Sequence, residues 1–325
     1  MDGKMSSIYD ILILGSGPAG LTAGIYAARA GRKVLVVAGT KWGGQLMLTT
    51  LVENYPGFSD GIQGPELMMS MRKQAERLGV EILSNEFSQT DFSKFPFKVI
   101  IDEELYQGKS VIIATGADNI WLDVPGELQL RGKGISTCAT CDAFFFKGKE
   151  VIVVGGGDSA MEEALVLSKV AKSVTIVHRR DKFKASFAMQ ERVKTDPKIK
   201  ILWNKTITRY FGDQHLEGVF LRDTVTNEEE QVKTDGVFVA IGHKPNTEKF
   251  TDIALDVKGY VIKKETRDEE GLLKYTSSTS QPGVFVAGDV QDYRYRQAIT
   301  AAAEGCRAAL DADNWLSENE EDLRV

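Results

Sequence analysis

Along the chain, short and wholly apolar runs alternate with glycine turns and with segments of helical period. In "YDILILGSGPAGLTAGIYAARAGRKVLVVAG" the apolar run Ile11 to Leu14 leads into Gly15-x-Gly17-x-x-Gly20, then a helical stretch and a second apolar run with its tip at Ala38. That order predicts strand, turn, helix and strand. From Glu150, "EVIVVGGGDSAMEEALVLSKVAKSVTIVHRR" repeats the plan: Val151 to Val154, then Gly155-x-Gly157-x-x-Ala160, a helix, and Val174 to Val177. The offset from Gly15 to Ala38 equals that from Gly155 to His178, so the two units share one register. Three more apolar runs, Ser110 to Ala117, Gly236 to Asn246 and Gly283 to Val290, each end in a small residue and glycine. Runs of that kind suit buried strands whose carboxyl ends bring backbone close to a ligand. Near the end, "QDYRYRQAITAAAEGCRAALDADNWL" has the period of an amphipathic helix, with Cys306 expected on its buried side.

Composition narrows this picture. With 325 residues, the chain is longer than the roughly 250 to 300 at which one hydrophobic core stops growing, so two domains are expected. Forty basic against 46 acidic residues leave a net charge of −6. Without a long basic run, that balance argues against nucleic acid as a partner. The opening "MDGKMSSIYD" lacks a secretory apolar segment, and no run of about 18 apolar residues crosses a bilayer, so a cytoplasmic protein with no membrane partner is expected.

A glycine turn between strand and helix lets backbone approach a pyrophosphate, which then rests on the N–H groups of the helix start. Two such turns in matching context predict two dinucleotide sites. The usual NAD site adds an acidic residue at the tip of the second strand, and neither unit has one. At the second tip stand His178, Arg179 and Arg180, and guanidinium groups in place of a carboxylate suit the 2′-phosphate of NADPH. The first tip, Ala38 and Gly39, leaves the ribose contact to backbone or to another segment. Asp289, after the run ending at Gly288, is a carboxylate suited to a polyol hydroxyl, with the next helix starting near Arg296, Gln297 and Ala298.

Two of the three cysteines form Cys138-Ala-Thr-Cys141, just ahead of the second glycine turn. A structural zinc site ordinarily needs four ligands, and the chain offers no second C-x-x-C and only three scattered histidines, so no metal is expected. Two inert packed cysteines remain an alternative to a redox dithiol. The neighbouring Asp142 suits a proton donor to a leaving thiolate, or else a turn carboxylate. Phe144, Phe145 and Phe146 read as a core strand or as an apolar docking surface.

The motifs "GSGPAG", "GGQL", "VENYPG", "ATGA", "CATCD", "GGGDSA", "HRRDKFKAS", "AIGHKPNT" and "GVFVAGDVQDYRYRQAITAAAEGC" stand in one order along nearly the whole chain, from Tyr9 to about Trp315. Together they resemble the low-molecular-weight thioredoxin reductases. The resemblance implies FAD at the first turn, held by Gly15, Gly17, Pro18, Ala19, Gly20, Gly43, Gly44, Gln45, Asn54, Thr115, Gly116, Gly288, Asp289, Arg296, Gln297 and Ala298. It implies NADPH at the second, with Gly155, Gly157, Asp158, Ser159 and Ala160 at the pyrophosphate, His178, Arg179, Arg180 and Lys184 at the 2′-phosphate, and Ile241 and Gly242 close by. It further implies a Cys138–Cys141 redox disulfide, with Cys141 facing the flavin, Cys138 attacking thioredoxin and Asp142 as general acid.

By the same resemblance the chain is an α/β homodimer of two Rossmann-like domains, the NADPH domain (118–246) inserted into the FAD domain (1–117 and 247–325). Hinges are implied near Ala117 to Asn119 and His243 to Thr247. Lys184 stands where many members carry arginine, and Ala143 where glycine is frequent. The stretch "KKETRDEEGLLKYTSSTSQPGV" matches no family motif and reads as polar strand or loop. Two other readings of the same scaffold are a reductase for another thiol protein and a non-catalytic flavin redox sensor.

Overall fold

A computed structural model describes residues 8–49, 51–321 and 323; the first seven residues and most of the last four of the acidic tail lie outside it. The chain forms two units, one from the residues up to Asp118 and from Lys244 onward, the other from Asn119 to His243.

In the first unit the apolar runs become a parallel set, Val284–Val286, Glu104–Ile113, Ile8–Leu14, Val34–Val37 and Glu81–Leu83, in that spatial order. The apolar runs within these strands lack a polar face because both faces are covered. Ile11 and Ile13 point into a core with the helices Pro18–Arg29, Gly64–Arg77 and Ala298–Glu318. Leu12 and Leu14 point the other way, among Phe97, Val99, Phe250 and Val261. The polar stretch near Lys264 forms an antiparallel hairpin, Lys264–Arg267 with Leu273–Ser278, at the edge of this sheet.

The second unit repeats the scheme. Its parallel sheet runs Ile135–Ser136, Gly236–Val239, Glu150–Val154, Ser173–His178 and Ile199–Trp203. Val151 and Val153 face the helix Asp158–Ser168, through Met161, Ala164 and Leu167. Ile152 and Val154 face Ile207, Tyr210, Val219 and Leu221 of a three-stranded antiparallel sheet. Each unit therefore stacks helices, parallel sheet and further strands, the α/β architecture expected.

Two local expectations are corrected. Phe144, Phe145 and Phe146 do not form a strand; they lie in a 3-10 turn, Ala143–Phe146. Only Phe146 enters the core, 5.0 Å from Phe238 between ring centroids, while Phe144 is 67% exposed. Cys306 lies on the long helix but is only partly buried, because the buried stripe includes Ala301, Gly305, Ala308 and Ala312, with Gly305 against Ala19 of the helix Pro18–Arg29.

The long helix is tied to the sheet by a buried carboxylate. Asp311 Oδ2 accepts hydrogen bonds from the backbone N–H of Thr276 at 2.8 Å and of Ser277 at 2.9 Å, and from the Ser277 hydroxyl at 2.6 Å. Asp311→Ala orphans these donors and should cost about 2–4 kcal/mol in chemical denaturation, whereas Asp311→Asn, which keeps an acceptor, should lose less.

Candidate dinucleotide and dithiol sites

The two glycine turns have one geometry for one reason. A Cβ on Gly15 would lie 2.1 Å from the Ala114 carbonyl oxygen, and a Cβ on Gly155 would lie 2.4 Å from that of Ala240. Both residues also have positive φ, +114° and +157°. Each turn therefore passes directly over the end of a neighbouring strand, where only glycine fits. At the second glycine of each turn, Gly17 and Gly157, nothing lies within 4 Å of an added Cβ. Both are helix N-caps without a side-chain capping bond, so the first helical N–H groups stay available to a ligand. Open space beside uncapped helix starts is what a bound pyrophosphate requires, and the residues fit two dinucleotides.

In the first unit, several sequence-predicted residues meet at this turn. Gly44 would bring a Cβ within 3.5 Å of Gly17 Cα, and Gly288 within 2.9 Å of Ala19 Cβ. Ser16, which the sequence reading passed over, joins the loops: its buried hydroxyl accepts from Gly43 N–H at 2.9 Å and donates to the Ala38 carbonyl at 3.1 Å. Gln45 donates to Asp118 Oδ1 at 3.1 Å, and Asn54 to Gln297 Oε1 at 3.3 Å. Thr115 donates its hydroxyl to the Asn246 carbonyl at 2.7 Å, and the Asn246 amide returns a bond to Thr115 O at 3.1 Å. Thr115 and Gly116 thus sit where the chain returns from its excursion through the second unit.

Asp292, also absent from the sequence reading, shapes the loop before the long helix. Its carboxylate accepts from the N–H groups of Arg294, Tyr295 and Arg296, leaving Arg296 at φ +48° and the helix to begin at Ala298 after Gln297. Burial, reinforced by the charge of Asp292 and opposed by Arg296, pushes the Asp289 carboxyl up to about 7. A carboxyl so desolvated suits hydrogen bonding with polyol hydroxyls.

In the second unit, Cys138 and Cys141 are joined as a disulfide, with Cα atoms 5.3 Å apart. Cys138 caps the short helical turn Ala139–Asp142 and Cys141 lies within it, its N–H donating to Cys138 Sγ at 3.2 Å. The pairing removes the reading of two inert core thiols, and Cys141 is exposed. Two residues outside the motif hold the turn. The buried Ser136 hydroxyl accepts from Cys138 N–H at 3.1 Å and donates to Asp142 Oδ2 at 2.5 Å. Ala139 N–H donates to the Glu163 carboxylate from the helix Asp158–Ser168. Burial raises the pKa of Asp142, and the Ser136 donor opposes this. A carboxyl shifted in that direction keeps its proton to higher pH than a solvated one, which suits a proton donor.

Around the second glycine turn, His178 is placed differently from the two arginines that follow it. His178 does not point outward with Arg179 and Arg180; it is buried, with Nε2 donating to the Lys182 carbonyl at 3.0 Å. Its ring fills the space beside Gly156, where a Cβ would meet it at 2.2 Å, and packs on Phe183 and Trp203. It is therefore a platform under the turn. Arg179, Arg180 and Lys184 are exposed. Asp158 accepts from Ser186 N–H and hydroxyl, both at 2.8 Å, and Lys184 N–H donates to the Gly156 carbonyl at 2.7 Å. These bonds fold the basic loop against the turn. Ser159 lies in the first helical turn, Ala160 is fully buried under Gly155, and Ile241 and Gly242 follow the strand that supports it. Among the described residues no cluster of His, Cys, Asp or Glu suits a metal ion, and no helix is long and apolar enough to cross a membrane.

With this geometry in place, likeness to known proteins becomes informative. The pyridine nucleotide-disulphide oxidoreductase family matches residues 9–305. The chain is 51% identical over 315 residues to the thioredoxin reductase of Mycolicibacterium smegmatis, covering 97% of this chain and 98% of that one. It is 48% identical over 316 residues to the bifunctional thioredoxin reductase/thioredoxin of Mycobacterium leprae, covering 96% of this chain and 67% of that one. Among solved structures, the thioredoxin reductase from Giardia duodenalis aligns with a TM-score of 0.89 at 41% identity, covering 96% of this chain and all of the other.

The raised Asp289 predicts a pH effect with a definite sign. Between the ordinary value of 3.8 and about 7, the folded flavin-free chain holds a proton there that the unfolded chain has released, so stability falls as pH rises through that window. Flavin-free Asp289→Asn should therefore gain on flavin-free wild type at pH 8 by as much as about 4 kcal/mol, the gain shrinking toward pH 4. Urea denaturation at both pH values measures it.

Proposed function

Because the chain belongs to the pyridine nucleotide-disulphide oxidoreductases and, within them, to the thioredoxin reductases, we propose the following division of labour among its own residues. The first glycine turn holds FAD, the second holds NADPH, and the Cys138–Cys141 disulfide passes reducing equivalents to oxidised thioredoxin. The observation that carries this reading is the disulfide itself, formed in the unit that also carries a dinucleotide turn and an exposed basic loop. The Mycobacterium leprae relative, named for both reductase and thioredoxin, supports thioredoxin as the acceptor. The protein would act as a cytoplasmic homodimer.

When bound, FAD accepts a hydride equivalent from NADPH and delivers an electron pair to the disulfide. The residues of this chain do the rest. Pyrophosphate groups rest on the helix starts after Gly17 and Gly157, and Arg179, Arg180 and Lys184 meet the 2′-phosphate. His178 holds the strand tip beneath them. In the dithiol state, Cys138 attacks the thioredoxin disulfide, forming a mixed disulfide and releasing one thioredoxin thiolate, which takes a proton from Asp142. Cys141 then attacks Cys138 Sγ, which re-forms the Cys138–Cys141 bond and releases the second thioredoxin thiol. Ser136 keeps Asp142 and the Cys138 backbone in register throughout. Phe144 and Phe145, exposed beside Cys141, give the acceptor an apolar footing.

Anaerobic titration of the purified protein with NADPH tests the circuit. Uptake of two electrons by flavin and two by the disulfide is expected, and uptake by flavin alone would move the reading to a redox sensor. Cys141→Ser should leave flavin reducible and abolish acceptor reduction. Replacing Arg179 and Arg180 together by alanine should raise KM for NADPH by about 10-fold or more while changing KM for NADH little; equal changes would remove the 2′-phosphate assignment.

A further inference from the structure

Dinucleotide folds ordinarily place an acidic residue at the tip of the second strand to accept the ribose hydroxyls. In the first unit that tip is Ala38-Gly39, and the sequence leaves the ribose contact to backbone or to another segment, with Asp289 as a candidate carboxylate. The fold brings a carboxylate there from another strand. Parallel register sets Val37 opposite Leu83, and Ala38 N–H donates to the Leu83 carbonyl at 2.7 Å. Just beyond Leu83 the chain turns, and Glu86 reaches back across the tip. Its Oε1 accepts from Thr40 N–H at 3.0 Å and from the Thr40 hydroxyl at 3.1 Å.

The strand tip is shaped to admit this carboxylate. Gly39 has φ +73°, and a Cβ there would stand 2.9 Å from Glu86 Oε1. Lys249 Nζ lies 3.3 Å from Oε2 and is anchored by the Phe87 carbonyl at 2.5 Å. The Glu86 side chain is 51% exposed, so it is open on its outer side. Burial opposes its charge, but the Thr40 donors and Lys249 hold its pKa below the usual value. An ionised carboxylate offers about four acceptor sites, and these three donors leave capacity for a ligand hydroxyl.

We propose that Glu86 takes the place of the absent strand-tip acid and accepts the adenosine ribose hydroxyls of FAD, with Thr40 fixing its orientation. The proposal rests on the assignment of FAD to the first site. Pyrophosphate on the helix start after Gly17 directs the adenosine toward the tip of the neighbouring strand, which is where Glu86 stands.

The test compares FAD with an analogue built on 2′,3′-dideoxyadenosine, each titrated into the full chain after its flavin has been exchanged out. Wild type should bind the analogue about 10- to 100-fold more weakly than FAD, the range for hydrogen bonds to a charged group. Glu86→Gln should weaken FAD by a similar factor and bind the two ligands nearly alike. Thr40→Ala should reduce the preference without abolishing it. If Glu86→Gln weakens both ligands equally, Glu86 is only a loop tie; if it keeps the wild-type preference, the ribose is read elsewhere. Either result overturns the proposal. A wild-type chain that took up neither ligand would remove the FAD assignment itself, and this proposal with it.

Discussion

The close passage of a glycine backbone over the end of a neighbouring strand is the constraint on which both units depend. At Gly15 and at Gly155 the carbonyl of Ala114 or Ala240 occupies the space a side chain would need. That contact sets where each turn runs, and the turn sets where the following helix starts. An uncapped helix start with open space at Gly17 or Gly157 is then available for a pyrophosphate. Buried strands with both faces covered hold the supporting carbonyls in place, so the apolar runs and the phosphate cradles belong to one device used twice.

The two copies diverge around this shared turn in ways that follow from charge. In the second unit, His178 is pressed under Gly156 and Asp158 gathers the basic loop through Ser186, leaving Arg179 and Arg180 exposed. A tip furnished with guanidinium groups suits a ligand with an additional phosphate. In the first unit the corresponding positions are neutral, and a carboxylate arrives from the end of the next parallel strand. The dithiol shows the same economy: Ser136 and Glu163, neither within the C-x-x-C, satisfy the backbone donors of the short turn that the disulfide closes. Burial of Asp142 then does the remaining electrostatic work beside the sulfurs.

Much of this was legible in the order of residues. Four-residue apolar runs before Gly-x-Gly predict buried parallel strands leading to phosphate turns, because strand burial and close backbone approach depend on local composition. The repeated register, the basic second tip and the C-x-x-C spacing are likewise local, and the α/β fold and the repeated unit follow from them, whereas the family rests on the resemblance of the ordered motifs along the chain. What eluded the sequence is what depends on burial. His178 reads as a ligand contact beside two arginines, yet strand alternation turns it inward onto Phe183 and Trp203. Phe144 to Phe146 read as a core strand or as an apolar docking surface, and the short turn closed by the disulfide leaves only Phe146 facing Phe238, with Phe144 and Phe145 exposed.

The sequence by itself thus determined the two glycine turns and the C-x-x-C pair, since each is written in contiguous residues whose spacing is chemical, while the pairing of the cysteines came from the structure. Only the tertiary structure decided which polar groups complete them. Ser16 bridging to Gly43, Asp292 shaping the loop at Arg296, and Glu86 meeting Thr40 join residues far apart in the chain. No periodicity marks such residues, because a serine or glutamate in a loop has the same composition whether it faces water or a neighbouring strand. Sheet order, which places Glu81–Leu83 beside Val34–Val37, makes the difference.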